Sequence, residues 1–333
     1  MANYSTLKGT EIQSLATDPY ASVTASGSWA SSNVLNDGRG GVGGAGIQTA
    51  ALCFAGNLSN PSPLTNKTES YNGSTWTEVN TLASPRYEVG GCGATNTAAL
   101  CFGGNAPAVL AITEEWNGTG WSEVGDMDNG RSYLGSAGTS TAALAIAGLI
   151  SSPSLLVEEW NGVGWTEVGA LNTTRFGPGA TGTTTSAIAF GGAPNPSSNS
   201  NLAESYNGTA WTVSTVLNTG RYGIAASGAS NESALGFGGG NVPGVTGATE
   251  AWNGTAWTEV ADLGTARSEA GGAGITVATA LAFGGAPSYK NETEEWTTAS
   301  PISLATEGQV WYNTTSATLK GSDGSTIKTF TSS

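Results

Sequence analysis

The chain of 333 residues contains no histidine, and it has only three cysteines, two methionines and 11 Lys and Arg against 25 Asp and Glu. Each shortage removes a class of function. Without histidine, Ser-His-Asp catalysis, histidine-ligated zinc and a histidine general base are excluded. Cys53, Cys92 and Cys101 form no CxxC pair. Cys53 and Cys101 stand where other copies of an internal repeat carry Ala145, Ala189, Gly236 and Ala282, so they read as small buried thiols, with a Cys92–Cys101 bridge as the alternative. A net charge of -14 leaves no basic stripe for phosphates or anionic lipid, so nucleic acid is not an expected partner. The sequence has no long apolar run, and Met1-Ala-Asn-Tyr-Ser-Thr offers neither a basic start nor an apolar stretch. Membrane insertion and a signal peptide are therefore not expected. Nor is a metal or cofactor: Asp126-Met-Asp-Asn-Gly130 echoes a calcium loop but lacks the distal bidentate Glu.

What is present is glycine, 50 residues of it, punctuated by 11 Trp, 9 Tyr and 7 Phe at regular intervals. Disorder would be the reading of the glycine alone, but the aromatics supply apolar area that a disordered chain lacks. Trp29 and Arg39 stand ten apart, as do Trp76 and Arg86, Trp121 and Arg131, Trp165 and Arg175, Trp211 and Arg221, and Trp257 and Arg267. After each Arg come a small-residue strand, a polar turn and a second strand such as Ala51-Leu-Cys-Phe54 or Ala280-Leu-Ala-Phe283. Leu and Phe alternate there with Ala, Cys or Gly, as a strand buried on both faces requires. A third strand follows with Glu two before an aromatic, and in five copies Asn-Gly then marks a tight hairpin into the strand that opens with the repeat Trp.

Each unit thus reads as a four-stranded antiparallel meander of about 45 residues, the size of a propeller blade. The sixth copy stops after Trp296, and the orphan Trp29 segment supplies a matching fourth strand from the other end of the chain. The expected fold is all-β, a six-bladed β-propeller over residues 29–299 closed by the N-terminal strand, with an arm at 1–28 and a β-hairpin-like attachment segment at 300–333. The double glycine, the spaced aromatic pair and the Arg before the innermost strand resemble Kelch-type β-propellers. Glu307-Gly-Gln-Val-Trp-Tyr-Asn, continuing to Leu319-Lys320, resembles short β segments of tailed-bacteriophage tail fibres and other virion proteins. Together with the Lys8–Pro19 segment and the Trp-Asn-Gly repeats, it is similar to phage-encoded propeller proteins.

While Glu to Trp and Trp to Arg stay fixed, the spacing between the repeats varies most from the second strand to the next Glu. The loops there hold the candidate binding residues Asn57, Asn60, Asn66, Asn105, Pro153, Asn195, Asn199, Asn241, Tyr289 and Lys290. Variable loops on a rigid scaffold are the usual place for recognition, and drift in unconstrained solvent loops is the plain alternative. The six arginines are expected on the same face, either as an anion or carboxylate site or as structural groups bonded to the adjoining blade. The repeat tryptophans, Trp29, Trp76, Trp121, Trp165, Trp211 and Trp257, are expected between blades. No catalytic residue is expected, since no non-repeating pair of acids stands out.

The resemblance implies a non-enzymatic virion component, a tail-fibre adhesin or capsid decoration. Its partners would be other virion proteins and a host-surface glycan or protein, and it would stand in multiple copies on particles assembled in the host cytoplasm. A glycan-active propeller enzyme and an intracellular Kelch-like scaffold remain as alternatives.

Overall fold

The computed structural model describes residues 13–15, 27–58, 63–298, 310–313, 318–322 and 327–330. Two units are present, the first running from Gly27 to Thr298 and the second combining the two chain ends.

The first unit is a six-bladed β-propeller, each blade a four-stranded antiparallel sheet. Its first blade shows the plan: Gly43–Ile47, Ala50–Phe54, Thr68–Tyr71 and Trp76–Val79, from the axis outward. The sixth blade takes Gly271–Ala273, Thr279–Phe283 and Thr293–Thr298 from the end of the repeat region, and its outer strand is Gly27–Ser32, with Trp29 opposite Trp296. The N-terminal strand therefore closes the ring by giving the sixth blade its fourth, outer strand.

Side-chain size follows distance from the axis. On the innermost strands the blades approach so closely that a Cβ on Gly44 would stand 2.4 Å from the carbonyl oxygen of Gly272. Second strands are buried on both faces, Leu52 and Phe54 on one and Ala51 and Cys53 on the other, which is why small and large residues alternate there. All three cysteines are buried and unpaired, so the alternative bridge between Cys92 and Cys101 does not form. Burial pushes the thiols of Cys53 and Cys92 up to about 12 and that of Cys101 to about 11, which leaves them inert.

The tryptophans seal one blade to the next. Trp29, Trp76, Trp121, Trp165 and Trp257 each pack against a second-strand Phe of the preceding blade, with centroids 4.7–5.0 Å apart. Trp29 and Trp121 keep part of their surface in solvent, and the other repeat tryptophans are buried. Four of the indole N–H groups donate to a threonine hydroxyl that opens the preceding blade's third strand: Trp29 to Thr249, Trp76 to Thr293, Trp121 to Thr68 and Trp165 to Thr113, at 2.9–3.0 Å. Where that position is Ala203, Trp257 turns to the carbonyl of Thr215 instead. Where it is Val157, the buried N–H of Trp211 has no partner.

The second unit is one four-stranded sheet. Gln13–Leu15 pairs in parallel with Val310–Asn313, which continues antiparallel through Thr318–Ser322 to Ile327–Phe330. The arm and the tail, read from sequence as separate segments, share this sheet.

The unpaired indole gives a direct test of the blade-to-blade bond. Val157→Thr preserves the shape of the buried side chain and supplies the missing acceptor, so it should stabilise the propeller by about 1 kcal/mol. Thermal unfolding followed by circular dichroism should show a rise of about 2–4 °C in Tm. A lowered Tm would mean that the threonine hydroxyl is not what the other four indoles gain from their partners.

Candidate functional site at the axial mouth

The chain enters each blade through its repeat arginine, and all six guanidinium groups are buried. Each pairs with the third-strand Glu of the blade it leads into: Arg39 with Glu69 at 2.7 Å, Arg86 with Glu114 at 2.6 Å, Arg131 with Glu158 at 2.8 Å, Arg221 with Glu250 at 3.0 Å, and likewise Arg175 with Glu204 and Arg267 with Glu294. The second carboxylate oxygen accepts a backbone N–H of the incoming connection, from Asn36, Ala83, Asp128, Asn172, Asn218 and Gly264 at 2.6–2.9 Å. The arginine's own carbonyl accepts from a glycine of the preceding blade, for example Gly56 to Arg86 and Gly285 to Arg39, both at 2.8 Å. These guanidiniums are thus consumed in holding blades together. None is presented to a soluble anion, which removes the anion-site reading of the arginine ring.

Two residues after each arginine the backbone turns into the innermost strand through the left-handed region. Gly41, Glu88, Tyr133, Gly177, Gly223 and Glu269 have φ between 52° and 63°. Their peptide groups form a closed circle around the axis. Glu88 donates to Gly41, Tyr133 to Glu88, Gly177 to Tyr133, Gly223 to Gly177, Glu269 to Gly223 and Gly41 to Glu269, over 2.7–3.0 Å. Glycine takes this conformation freely, whereas an L-residue there costs about 1–2 kcal/mol. Three blades use glycine and three do not, so the exceptions mark a place where side chains are kept at a cost.

Those three side chains meet. The Tyr133 hydroxyl reaches across the circle to donate to Glu269 at 2.9 Å. Glu88 is buried nearby, and beside it stands the fully buried hydroxyl of Ser132, whose hydrogen bond favours the ionised carboxylate. Burial pushes the Glu88 carboxyl up to about 7; the Tyr133 hydroxyl pulls it back and the neighbouring charge of Glu269 raises it further. Glu269 is raised as well, by burial, against the opposing bond from Tyr133. Burial followed by the charges of both glutamates raises Tyr133 far above the usual phenol range.

The three side chains line a cavity of about 80 Å³ whose floor is an apolar collar of Val42, Val89, Leu134, Pro178, Ile224 and Ala270. Below the same collar lies the central channel, about 170 Å³, lined by the glycines and alanines of the innermost strands. Phe176 packs edge-on against both Tyr133 and Tyr222, giving the mouth an aromatic flank.

The loop residues singled out from sequence remain dispersed over the blades. Asn66 is structural: its amide donates to the carbonyl of Leu82 at 2.8 Å while its own carbonyl accepts the Leu82 N–H. Asn57 and Asn105 bridge to the residue after the repeat arginine, and Pro153 bridges to Leu149. Asn195 caps its own turn through Ser197, and Asn199 has a buried, unpartnered side-chain oxygen. Asn241 is exposed in a two-residue ladder with Gly244. The Lys290 backbone bonds to Arg39 and Gly285, and Tyr289 lies near enough to Tyr87 to affect its ionisation at the mouth. Asn60 lies outside the described residues.

Glu88, Tyr133 and Glu269 were not singled out from sequence, although a signal existed. Aligned two positions after each arginine, they interrupt a set that otherwise reads Gly41, Gly177 and Gly223.

The raised carboxyl predicts a stability profile with a definite sign. A Glu that binds its proton more tightly when folded contributes stability present below the unfolded pKa near 4.5 and lost as pH rises to about 7. The loss is on the order of 3 kcal/mol. Denaturant titrations across this window should show wild type losing stability while Glu88→Gln stays comparatively flat. Parallel profiles would show that Glu88 ionises as freely in the fold as outside it.

No family model matches the chain, and no curated protein does. What the geometry itself identifies is a six-bladed β-propeller, with blades locked by buried ion pairs around an acidic axial mouth.

Proposed function

We propose that the chain is a non-enzymatic display module, a Kelch-type propeller carried on a tailed-phage particle. The terminal segments dock it to other virion proteins, and the loop face meets the host surface. The observation that carries this reading is the placement of both ends of the chain in one sheet of their own, with strand Gln13–Leu15 laid beside Val310–Asn313. These are the segments that resemble virion proteins, and their union gives one attachment unit distinct from the propeller. The closed ring then serves as a rigid support for loops of unequal length, the arrangement in which loops commonly carry recognition.

A glycan-active enzyme is the second reading, and one observation favours it: Glu88 and Glu269 are a non-repeating carboxylate pair bridged by Tyr133, a constellation that was not evident in the sequence. Against it, the mouth of about 80 Å³ is far smaller than the about 300–1,000 Å³ of typical small-molecule sites. The repeat arginines, buried and each paired with a glutamate, also leave none of their guanidiniums for a sugar acid.

Protein analysis of purified particles decides between them. The display reading expects this chain as a stoichiometric band, and its absence from particles overturns that reading. Hydrolysis of host polysaccharide that is lost in Glu269→Gln would transfer the assignment to the enzyme.

A further inference from the structure

We propose that the closing strand Gly27–Ser32 is a releasable strap and that Ser32, Tyr71 and Glu295 form its latch, so that the sixth blade sheds and regains its outer strand while the rest of the ring stays shut. This device does not depend on where the propeller is displayed.

The strap differs from the other outer strands in how it is tethered. Each of those five follows its third strand through a tight hairpin, and the Asn that opens the turn (Asn72, Asn117, Asn161, Asn207 or Asn253) accepts two backbone N–H groups with its side-chain oxygen. The strap reaches Thr293–Thr298 from the far end of the chain, with no hairpin to hold the pair together. Its covalent continuation is anchored where Asn36 donates to Glu69 from backbone and side chain, at 2.8 and 2.7 Å. That point is a hinge about which the strand can leave. The first and sixth blades stay joined without the strap, because the Gln48 amide donates to the carbonyls of Trp296 and Ala280 at 2.7 and 3.2 Å and the axial circle runs from Glu269 to Gly41.

At the seam with the first blade the strap gains a lock that the other seams lack. The hydroxyls of Ser32 and Tyr71 stand 2.6 Å apart, and both reach the same oxygen of Glu295, at 2.9 and 2.6 Å. One carboxylate of the sixth blade thereby ties the strap to the first blade, through bonds strengthened by its charge. Burial and then the bond to Glu295 push the Tyr71 phenol up to about 12, against the bond from Ser32, so it keeps its proton as a donor. At the ladder position of Ser32, four other blades carry Val79, Val124, Val168 and Val260. Ser214 is the one repeat of the serine, but the next blade has Trp252 in place of the tyrosine. Tyr206 is the one repeat of the tyrosine, and it packs in a cluster with Val168.

The test is native-state hydrogen exchange of the full-length protein, read by mass spectrometry on peptides spanning the strap, the second strands and the outer strands Trp165–Glu167 and Trp211–Ser214. The strap should exchange through a local opening, faster than the second strands. Tyr71→Phe should speed that exchange roughly tenfold and leave Trp211–Ser214 unchanged. Ser32→Ala should act in the same direction, whereas Ser32→Thr, which keeps the hydroxyl, should stay near wild type. Tyr206→Phe removes the matching phenol from a seam without the serine, and neither the strap nor Trp165–Glu167 should respond. Exchange of the strap only together with the second strands would overturn the proposal. So would equal acceleration of all blades or of none in Tyr71→Phe and Ser32→Ala, or a matching acceleration of Trp165–Glu167 in Tyr206→Phe.

Discussion

Everything in the propeller depends on how the chain passes from one blade to the next, and that passage is held by a buried Arg–Glu pair. A buried ion pair gains little net stability over apolar packing, because both partners must be desolvated. Its contribution here is geometric. The Arg39 side chain reaches Glu69 in the blade ahead while its carbonyl accepts from Gly285 in the blade behind, and the same Glu takes the Asn36 N–H of the connection. One residue thereby fixes three segments. Repeated around the ring, the clasp aims the following peptide at its neighbour and builds the circle of hydrogen bonds at the axis.

From that circle follows the division between scaffold and site. The peptide after each clasp must adopt positive φ, so glycine is the unstrained choice, and any other residue is a departure that the ring's rigidity has to hold in place. Glu88, Tyr133 and Glu269 depart together and converge. The innermost strands below them are too crowded for comparable side chains, since a Cβ on Gly91 or Gly272 would meet neighbouring backbone within about 3 Å. The mouth is therefore where the axis has room for chemistry.

Much of the fold was legible because it repeats. The Trp-to-Arg spacing, the Asn-Gly hairpins and the orphan Trp29 were enough to infer six blades and the strand that closes the last. Partners were harder to read than elements. Each arginine's two-sided role, side chain forward and carbonyl backward, is a matter of crossing geometry that spacing does not encode. The axial site was harder still. Its residues lie in three blades, and they become neighbours only after the ring closes. Conversely, Asn66 looked like a loop residue free to vary, yet its amide is committed to the carbonyl of Leu82. Polarity in a variable loop does not distinguish a binding group from a brace.

The central claim, that the buried pair acts as one clasp rather than as two independent side chains, is tested most directly by a double-mutant cycle on Arg131 and Glu158. Equilibrium unfolding should show Arg131→Met and Glu158→Leu each costing about 3–5 kcal/mol, because either alone strands a buried charge. The double variant should recover most of that loss. Strictly additive costs would contradict the account, for they would mean that the two residues hold the propeller by contacts other than the one between them.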